Sequence, residues 1–319
     1  MMSQLIADPI FIVGAHRSGS TLLRVMLDHH PQISLPHEFE FTMHLVGDDG
    51  EPPELEKFYQ HLALNSSFSR SGFHIDRSLP FEELINSFLE QRRNGKPVIG
   101  MTCHENFERL RYFWPEARYI HILRDPRDVA NSVVQMGWAG NVWVAVNRWI
   151  EAERTWDNLC KKIPESHRME VRFEALMANP KNELSVVCGF LGLSFEEQML
   201  SYPSTSDYDL PNANAATRWR KKMSKRDVQL IEARVGKLCS ARNYSLSEFS
   251  TISPGLITKT WLNFHSRFTR FMRRLLQNPS ITINMLLARR MGRLSRLQHL
   301  TQQKYVIKNQ QVKQTRYSD

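Results

Sequence analysis

Pro9-Ile-Phe-Ile-Val13, Gly14-Ala-His-Arg-Ser-Gly19 and Ser20-Thr-Leu-Leu-Arg-Val-Met-Leu-Asp-His29 run without a break, and this stretch decides the fold. Residues 9–13 are an unbroken apolar run, which is how a strand buried on both faces reads. In residues 20–29, Leu22, Leu23, Met26 and Leu27 fall on one side of a helix. The loop between them is bounded by Gly14 and Gly19. Such a strand, loop and helix bring loop N–H groups and the free N–H groups of the first helical turn to one point. The helix dipole adds roughly half a positive charge there, so the expected guest is an anion.

Further along, the same alternation recurs. Arg118 to Leu123 reads as a second buried strand, and Asp125-Pro126 opens a helix with proline in its first turn. Phe81 to Arg93 reads as a helix ended by Asn94-Gly95. Val98 to Gly100 and Met169 to Val171 read as short strands. The Trp-rich stretch Asn141 to Asn158 and the stretch Lys181 to Leu191 read as helices. Residues 47–57 are an acidic, proline-containing loop, and residues 65–78 a polar stretch with turn chemistry. Strands alternating with helices give an α/β class with a central parallel sheet covered on both faces.

The chain has 319 residues, 41% apolar and 24% charged, which excludes collagen-like and mostly disordered classes. Its net charge of +9 is unevenly placed: residues 255–319 hold 13 Lys and Arg against one acid, leaving −3 for residues 1–254. The basic character therefore belongs to a tail, and no nucleic-acid partner is expected. The division falls at Pro254-Gly255, giving units 1–254 and 255–319. In the tail Trp261, Phe264, Phe268, Phe271, Met272 and Leu275 form one helical stripe, with Arg267, Arg270, Arg273 and Arg274 mostly elsewhere around the helix. A second basic segment follows Asn278-Pro279 up to Leu300, and the polar end from Gln302 reads as disordered. A peripheral membrane or protein contact through residues 255–300 is the expectation for this segment. The longest apolar run, Ile283 to Ala288, is too short to span a bilayer, and Met1 to Asp8 does not read as a secretory leader. Cys103, Cys160, Cys188 and Cys239 are scattered, which reads as reduced thiols in a cytoplasmic protein.

The glycines match G-x-x-x-x-G-K-[ST], but Ser20 stands where the lysine belongs. A phosphate-loop kinase or nucleoside triphosphatase without that lysine lacks its main β/γ-phosphate contact. Here the cation has moved inside the loop, to Arg17. With that displacement, Arg17-Ser18-Gly19-Ser20-Thr21-Leu22 resembles the first motif, [KR]-S-G-[ST]-[TS]-L, of sulfotransferases that use 3′-phosphoadenosine-5′-phosphosulfate (PAPS). The Arg form is closest to the tyrosylprotein sulfotransferase branch and to many bacterial members. Arg124-Asp-Pro-Arg-Asp-Val-Ala-Asn-Ser132 resembles the family's R-D-P-R-[DA]-x-x-x-S signature. Val171-Arg-Phe-Glu-Ala-Leu176, with Pro180 and Phe190-Leu-Gly-Leu193, looks like its V-x-Y-E-x-L…P…F-L-G-L stretch, with Phe173 replacing the usual Tyr. Thr217-Arg-Trp-Arg-Lys221 resembles the late basic loop that closes over the nucleotide. The likeness covers about residues 9–235.

The resemblance implies a P-loop NTPase-like three-layer fold, with the tail as a helical extension. It implies PAPS as co-substrate, bound by Arg17, Ser18, Gly19, Ser20 and Thr21 in the loop. Arg124 and Ser132 would take the 3′-phosphate, Phe173 would pack near adenine, and Arg218, Trp219 and Arg220 would close over the nucleotide. Arg17 would stabilise the leaving phosphate. Glu38, 21 residues past Arg17, stands where the tyrosylprotein branch keeps its base, and His104 falls near the catalytic His of the cytosolic branch. Both stay open as the base. Met101 replaces a Lys that the tyrosylprotein-like branch often carries. His16, His29, His30 and His37 crowd one region without the ligand spacing of a metal site, so none is expected. Trp138, Trp143, Trp149 and Trp156 read as packing residues. A non-catalytic scaffold docking through the tail is the other alternative, and nothing in the sequence spells the acceptor.

Overall fold

The computed structural model describes residues 6–204, 206, 210–211, 216–292 and 300. β1 (Ile10–Val13) leads through the glycine loop into α1 (Ser20–Asp28) and β2 (Ile33–Ser34). α2 (Leu55–Leu64), α3 (Ser66–Ser71) and α4 (Phe81–Glu90) precede β3 (Val98–Cys103). β4 (Arg118–Leu123) is followed by α5 (Pro126–Gln135), α6 (Val142–Ala145), α7 (Asn147–Cys160) and β5 (Arg168–Arg172). Then come α8 (Phe173–Ala178), α9 (Pro180–Phe190), α10 (Trp219–Lys222), α11 (Lys225–Ala241), α12 (Leu256–Gln277) and α13 (Pro279–Arg290).

The strands form one 5-stranded sheet in the order β2-β3-β1-β4-β5, and every adjacent pair is parallel. β1 lies between β3 and β4, with Phe11 opposite Met101 on one side and Tyr119 on the other. Side chains alternate across a strand, so β1 serves both faces. Phe11 and Val13 join a core with Leu84 and Phe88 of α4. Ile10 and Ile12 join another with Leu23 and Leu27 of α1 and Leu184 and Val187 of α9. The result is the three-layer α/β arrangement expected. The crevice for a ligand in such a sheet opens beyond the strand ends where the connections diverge, and β1 delivers the glycine loop there.

The expected strand at residues 98–100 continues to Cys103, and residues 141–158 divide into α6 and α7 at Val146. The polar stretch 65–78, read as turns, contains α3. The Asn65 side chain caps it by accepting from the backbone N–H of Ser67 and Phe68, and Gly72 ends it at φ 64°. Side-chain capping supplies what apolar periodicity does not. At the other end of the chain, α12 lies against α6. The N–H of Gly140 donates to Ser266 Oγ at 2.9 Å, and Asn141 Nδ2 donates to the Leu262 carbonyl at 2.7 Å. The reading of the polar end from Gln302 onward falls outside the described residues. Among those described, no helix is long and apolar enough to cross a membrane. Trp143, Trp149 and Trp156 are buried.

Candidate active site

The loop is built from unusual backbone conformations. Gly14 has φ 134°, and a Cβ there would sit 2.6 Å from the Ile122 carbonyl oxygen of β4. Arg17 takes φ 74°, left-handed for a non-glycine residue, and Gly19 takes φ 101° as the residue before α1. Left-handed residues in such turns are how a backbone makes an anion-binding concavity. The first turn of α1 has no side-chain cap and no acidic residue, which leaves its positive end uncompensated. Ser18 is buried and its hydroxyl donates to the Ala15 carbonyl at 2.6 Å, so its side chain closes the loop.

Two motifs distant in sequence meet at this loop. Arg17 Nε donates to Ser132 Oγ at 3.0 Å, across 115 residues of chain. Arg124 Nη1 donates to the Arg17 carbonyl at 3.2 Å. The Arg124 guanidinium lies 4.2 Å over the Phe173 ring. Phe173 also presses on Gly19, where a Cβ would come within 2.2 Å of the ring. Burial weakens the hold of Arg124 on its proton; Asp128 and Glu174 oppose that, while Arg218 and Arg17 add like charge. Arg17, Arg124 and Arg218 thus form a cationic cluster held apart by the fold. A guanidinium stays charged through such a shift.

The late basic loop is tied to α5. The Trp219 N–H donates to Asp128 Oδ1 at 2.9 Å. The Trp219 ring lies beneath the guanidinium groups of Arg127 at 3.8 Å and Arg220 at 4.5 Å. Arg127 is itself pinned by Asp125 at 2.7 Å and Glu232 at 2.8 Å. Arg218 and Arg220 are exposed. Burial raises the Asp128 carboxyl to about 6, against the pull of Arg124.

The two candidate bases face different cavities. Glu38, bridged through its backbone to Thr102 beside β3, accepts from Ser67 Oγ at 3.1 Å, and Arg70 lies 3.6 Å away. Glu38 shares a cavity of about 230 Å³ with Thr21, Arg24, Ser67 and Arg70. Arg24 donates to the carbonyls of Leu35 and Pro36, which fixes the segment carrying Glu38 to α1. His104 lines a separate cavity of about 300 Å³ with His16, Glu105 and Arg148. Its Nδ1 donates to the Gly14 carbonyl at 2.8 Å, leaving Nε2 to accept from Ser20 Oγ at 3.3 Å. Burial pushes this imidazole toward the neutral form that such a pattern requires. Both ring nitrogens are thus engaged with the loop.

Sequence reading missed several neighbours. Trp138, read as packing, is half-buried beside the loop, 5.9 Å from the Arg17 guanidinium and edge-on to His16. Arg24 could have been found, since it lies three positions after Thr21 and so on the same helical face. Glu40 had no signal at all. It is 6% exposed, its Oε2 has no hydrogen-bond partner among the described residues, and burial, reinforced by the Glu38 charge, raises its carboxyl to about 8. A carboxyl raised in the folded state binds its proton more tightly there than in the unfolded chain. Its burial therefore costs stability as pH climbs from the ordinary carboxylate range toward 8. Glu40→Gln, which removes the titration and keeps the shape, is expected to raise the unfolding temperature at pH 8 by about 2 °C or more. The gain should vanish near pH 4 in thermal unfolding curves, and an equal shift at both pH values would show that Glu40 does not titrate this way.

The crowded histidines do not converge. His29 Nδ1 donates to the Val25 carbonyl and His30 Nε2 to the Ser194 carbonyl, while His37 packs edge-on to Phe73. Among the described residues no group of three or more His, Cys, Asp or Glu is placed to hold a metal ion.

Comparison with known proteins bears on this geometry. Residues 9–197 match the group described as the Sulfotransferase family. Protein-tyrosine sulfotransferase 2 of Gallus gallus is 22% identical over 213 residues, which is 60% of this chain and 53% of that protein. Protein-tyrosine sulfotransferase A of Caenorhabditis elegans is 23% identical over 218 residues, 64% of this chain and 55% of that protein. The chain thus spans about half the length of the curated relatives it matches. Among solved structures, the sulfotransferase domain from the curacin biosynthetic pathway superposes with a TM-score of 0.53 at 18% identity. The match covers 76% of this chain and 100% of that one, and at such identity it speaks for the fold alone. The matched span takes in more than half of the sequence and carries both the glycine loop and the Arg124–Ser132 segment, and the chain belongs to the sulfotransferase family.

Proposed function

We propose that the protein transfers a sulfuryl group from PAPS to an acceptor hydroxyl or amine. The observation that carries this reading is the Arg17–Ser132 hydrogen bond, which unites the loop with the second motif around one cationic cluster. The donor set suits the co-substrate: two guanidinium groups, a hydroxyl and an uncapped helix start all favour an anion with more than one charged group. When bound, PAPS supplies an activated sulfuryl group on a phosphate leaving group.

Sulfuryl transfer, by analogy with phosphoryl transfer, asks mainly for positioning and charge stabilisation. Arg17 and the loop N–H groups receive the charge left on the bridging oxygen as the S–O bond to phosphate breaks. Glu38 takes the proton of the acceptor as the new bond to sulfur forms. The cavity shared by Glu38 and Thr21 supports Glu38 in this role. The engagement of both His104 nitrogens with the loop supports a positioning role for that residue. Arg124 and Ser132 hold the 3′-phosphate, and Arg218 reinforces them from the late loop. Four unpaired cysteines, three of them buried, support a reducing, cytoplasmic setting.

Binding of 3′,5′-phosphoadenosine, the desulfated product, tests the reading directly. At about 100 times its Kd the nucleotide should stabilise the fold by roughly 2.7 kcal/mol, a rise of roughly 4–5 °C in unfolding temperature. No shift with this nucleotide beside a clear one with ATP and magnesium would favour a phosphate-loop kinase instead. Transfer of radiolabelled sulfate to a panel of carbohydrate, peptide and small-metabolite acceptors then identifies the acceptor class.

A further inference from the structure

The outward face of α12 is apolar, aromatic and uncovered among the described residues. Trp261 is 57% exposed, Phe264 65% and Phe268 52%, with Ile257 and Phe271 also exposed. At about 100° per residue these positions fall within an arc of roughly 80°. The opposite side, Leu262, Ser266 and Arg273, faces the body of the protein. Leu262 and Ser266 are buried there, and Arg273 donates to the Gln135 carbonyl. The helix is thus held along one side and presents the other to solvent. Trp261 stacks on His265 and Phe264 on Phe268, so the aromatic face is ordered rather than a scatter of single side chains.

Charge decides what fits this face. From Leu256 to Gly292 the chain has seven Lys and Arg and no acidic residue. Arg267 and Arg274 are exposed, and on the same helical projection they lie roughly 40–60° beyond one edge of the aromatic arc. A second copy of this face would bring cations against cations. The remaining tail is also basic, with Arg293, Arg296, Lys304, Lys308, Lys313 and Arg316 against Asp319 alone, and so does not complement the face. α13 extends the apolar surface through exposed Ile283, Leu286 and Leu287. Aromatic side chains on one face and cations along its edge match the boundary between the headgroups and acyl chains of an anionic bilayer. Residues 1–254 carry a net charge of −3, so a negative surface attracts the tail and repels the body, which orients the molecule.

We propose that α12 docks this protein on an anionic lipid surface, with Trp261, Phe264 and Phe268 in the interface and Arg267 and Arg274 on the headgroups. The inference stands apart from the sulfotransferase chemistry. Its test is co-sedimentation of the full chain with vesicles of phosphatidylglycerol and phosphatidylcholine, against vesicles of phosphatidylcholine alone. Binding is expected to the anionic vesicles only, and to fall as salt rises from about 0.1 M to about 1 M. The exposed-site variant Trp261→Ser/Phe264→Ser/Phe268→Ser should lose at least about ten-fold in partitioning. Arg267→Gln/Arg274→Gln, which leaves the apolar face intact, should also lose about ten-fold or more. Equal partitioning to both vesicle types, or to neither, overturns the proposal. So does concentration-dependent self-association, or capture of an acidic protein, that the triple substitution abolishes while vesicles stay unbound.

Discussion

Arg17→Ala is expected to lower kcat by about 10²–10³-fold, the usual cost of removing a preorganised donor from the site of developing charge. The loop itself should survive. Its left-handed turn is held by the Ser18 and Ala15 bonds and by the approach of Gly14 to β4, none of which uses the Arg17 side chain. The deletion also frees Ser132 from its 3.0 Å partner, so the second motif loses its link to the loop. Arg17→Lys should recover little, because a point charge on a flexible stem cannot bond Ser132 and face the bridging oxygen with the geometry of a guanidinium. Single-turnover transfer of radiolabelled sulfate measures the effect. Equal transfer above background by wild type and variant would mean that Arg17 does not act in the reaction, and transfer at background level in both would favour a non-catalytic scaffold that docks through its tail.

Glu38→Gln should cost about 10²–10⁴-fold in kcat, the range for a positioned general base. Its nucleotide affinity should stay at the wild-type value, because Glu38 lies in the cavity on the Thr21 side and not among the Arg124 contacts. The variant keeps the shape of the side chain and can still meet Ser67. Calorimetric titration with 3′,5′-phosphoadenosine, run beside turnover, separates binding from proton transfer. His104→Ala is the matching control, since it should loosen the loop and weaken the nucleotide. If Glu38→Gln retains full turnover while His104→Ala loses turnover without losing affinity, the roles of the two residues are reversed.

The parts of this fold legible in the sequence were those written in local pattern. The run at residues 9–13 and the apolar positions of residues 20–29 fixed β1 and α1. Two glycines marked the loop, and Asp125-Pro126 marked the start of α5. Arg17 and Ser132 could each be read from its own motif, yet their bond depends on β1 and β4 lying side by side, which is a tertiary fact. The same limit explains Glu38 and His104. Glu38 follows β2 and His104 follows β3, and only the backbone bridge from Glu38 to Thr102 brings the two segments side by side, with Glu38 in one cavity and His104 in another. α3 was hidden because its cap is a side chain, Asn65, while its apolar content is a single Phe68. Trp138 reads as packing because nothing in the sequence shows that the turn between α5 and α6 carries it to the loop.

The contact between Gly19 and Phe173 has a consequence for anyone grafting this loop into another scaffold, or another loop into this one. Even a methyl group at position 19 would strike the aromatic plane, and pushing that ring aside would lift the lid from Arg124. One small branch would therefore disarm both arms of the anion grip. The two positions behave as a single heritable unit: chimeras cut between them succeed only when both parents keep the bare backbone and the flat ring.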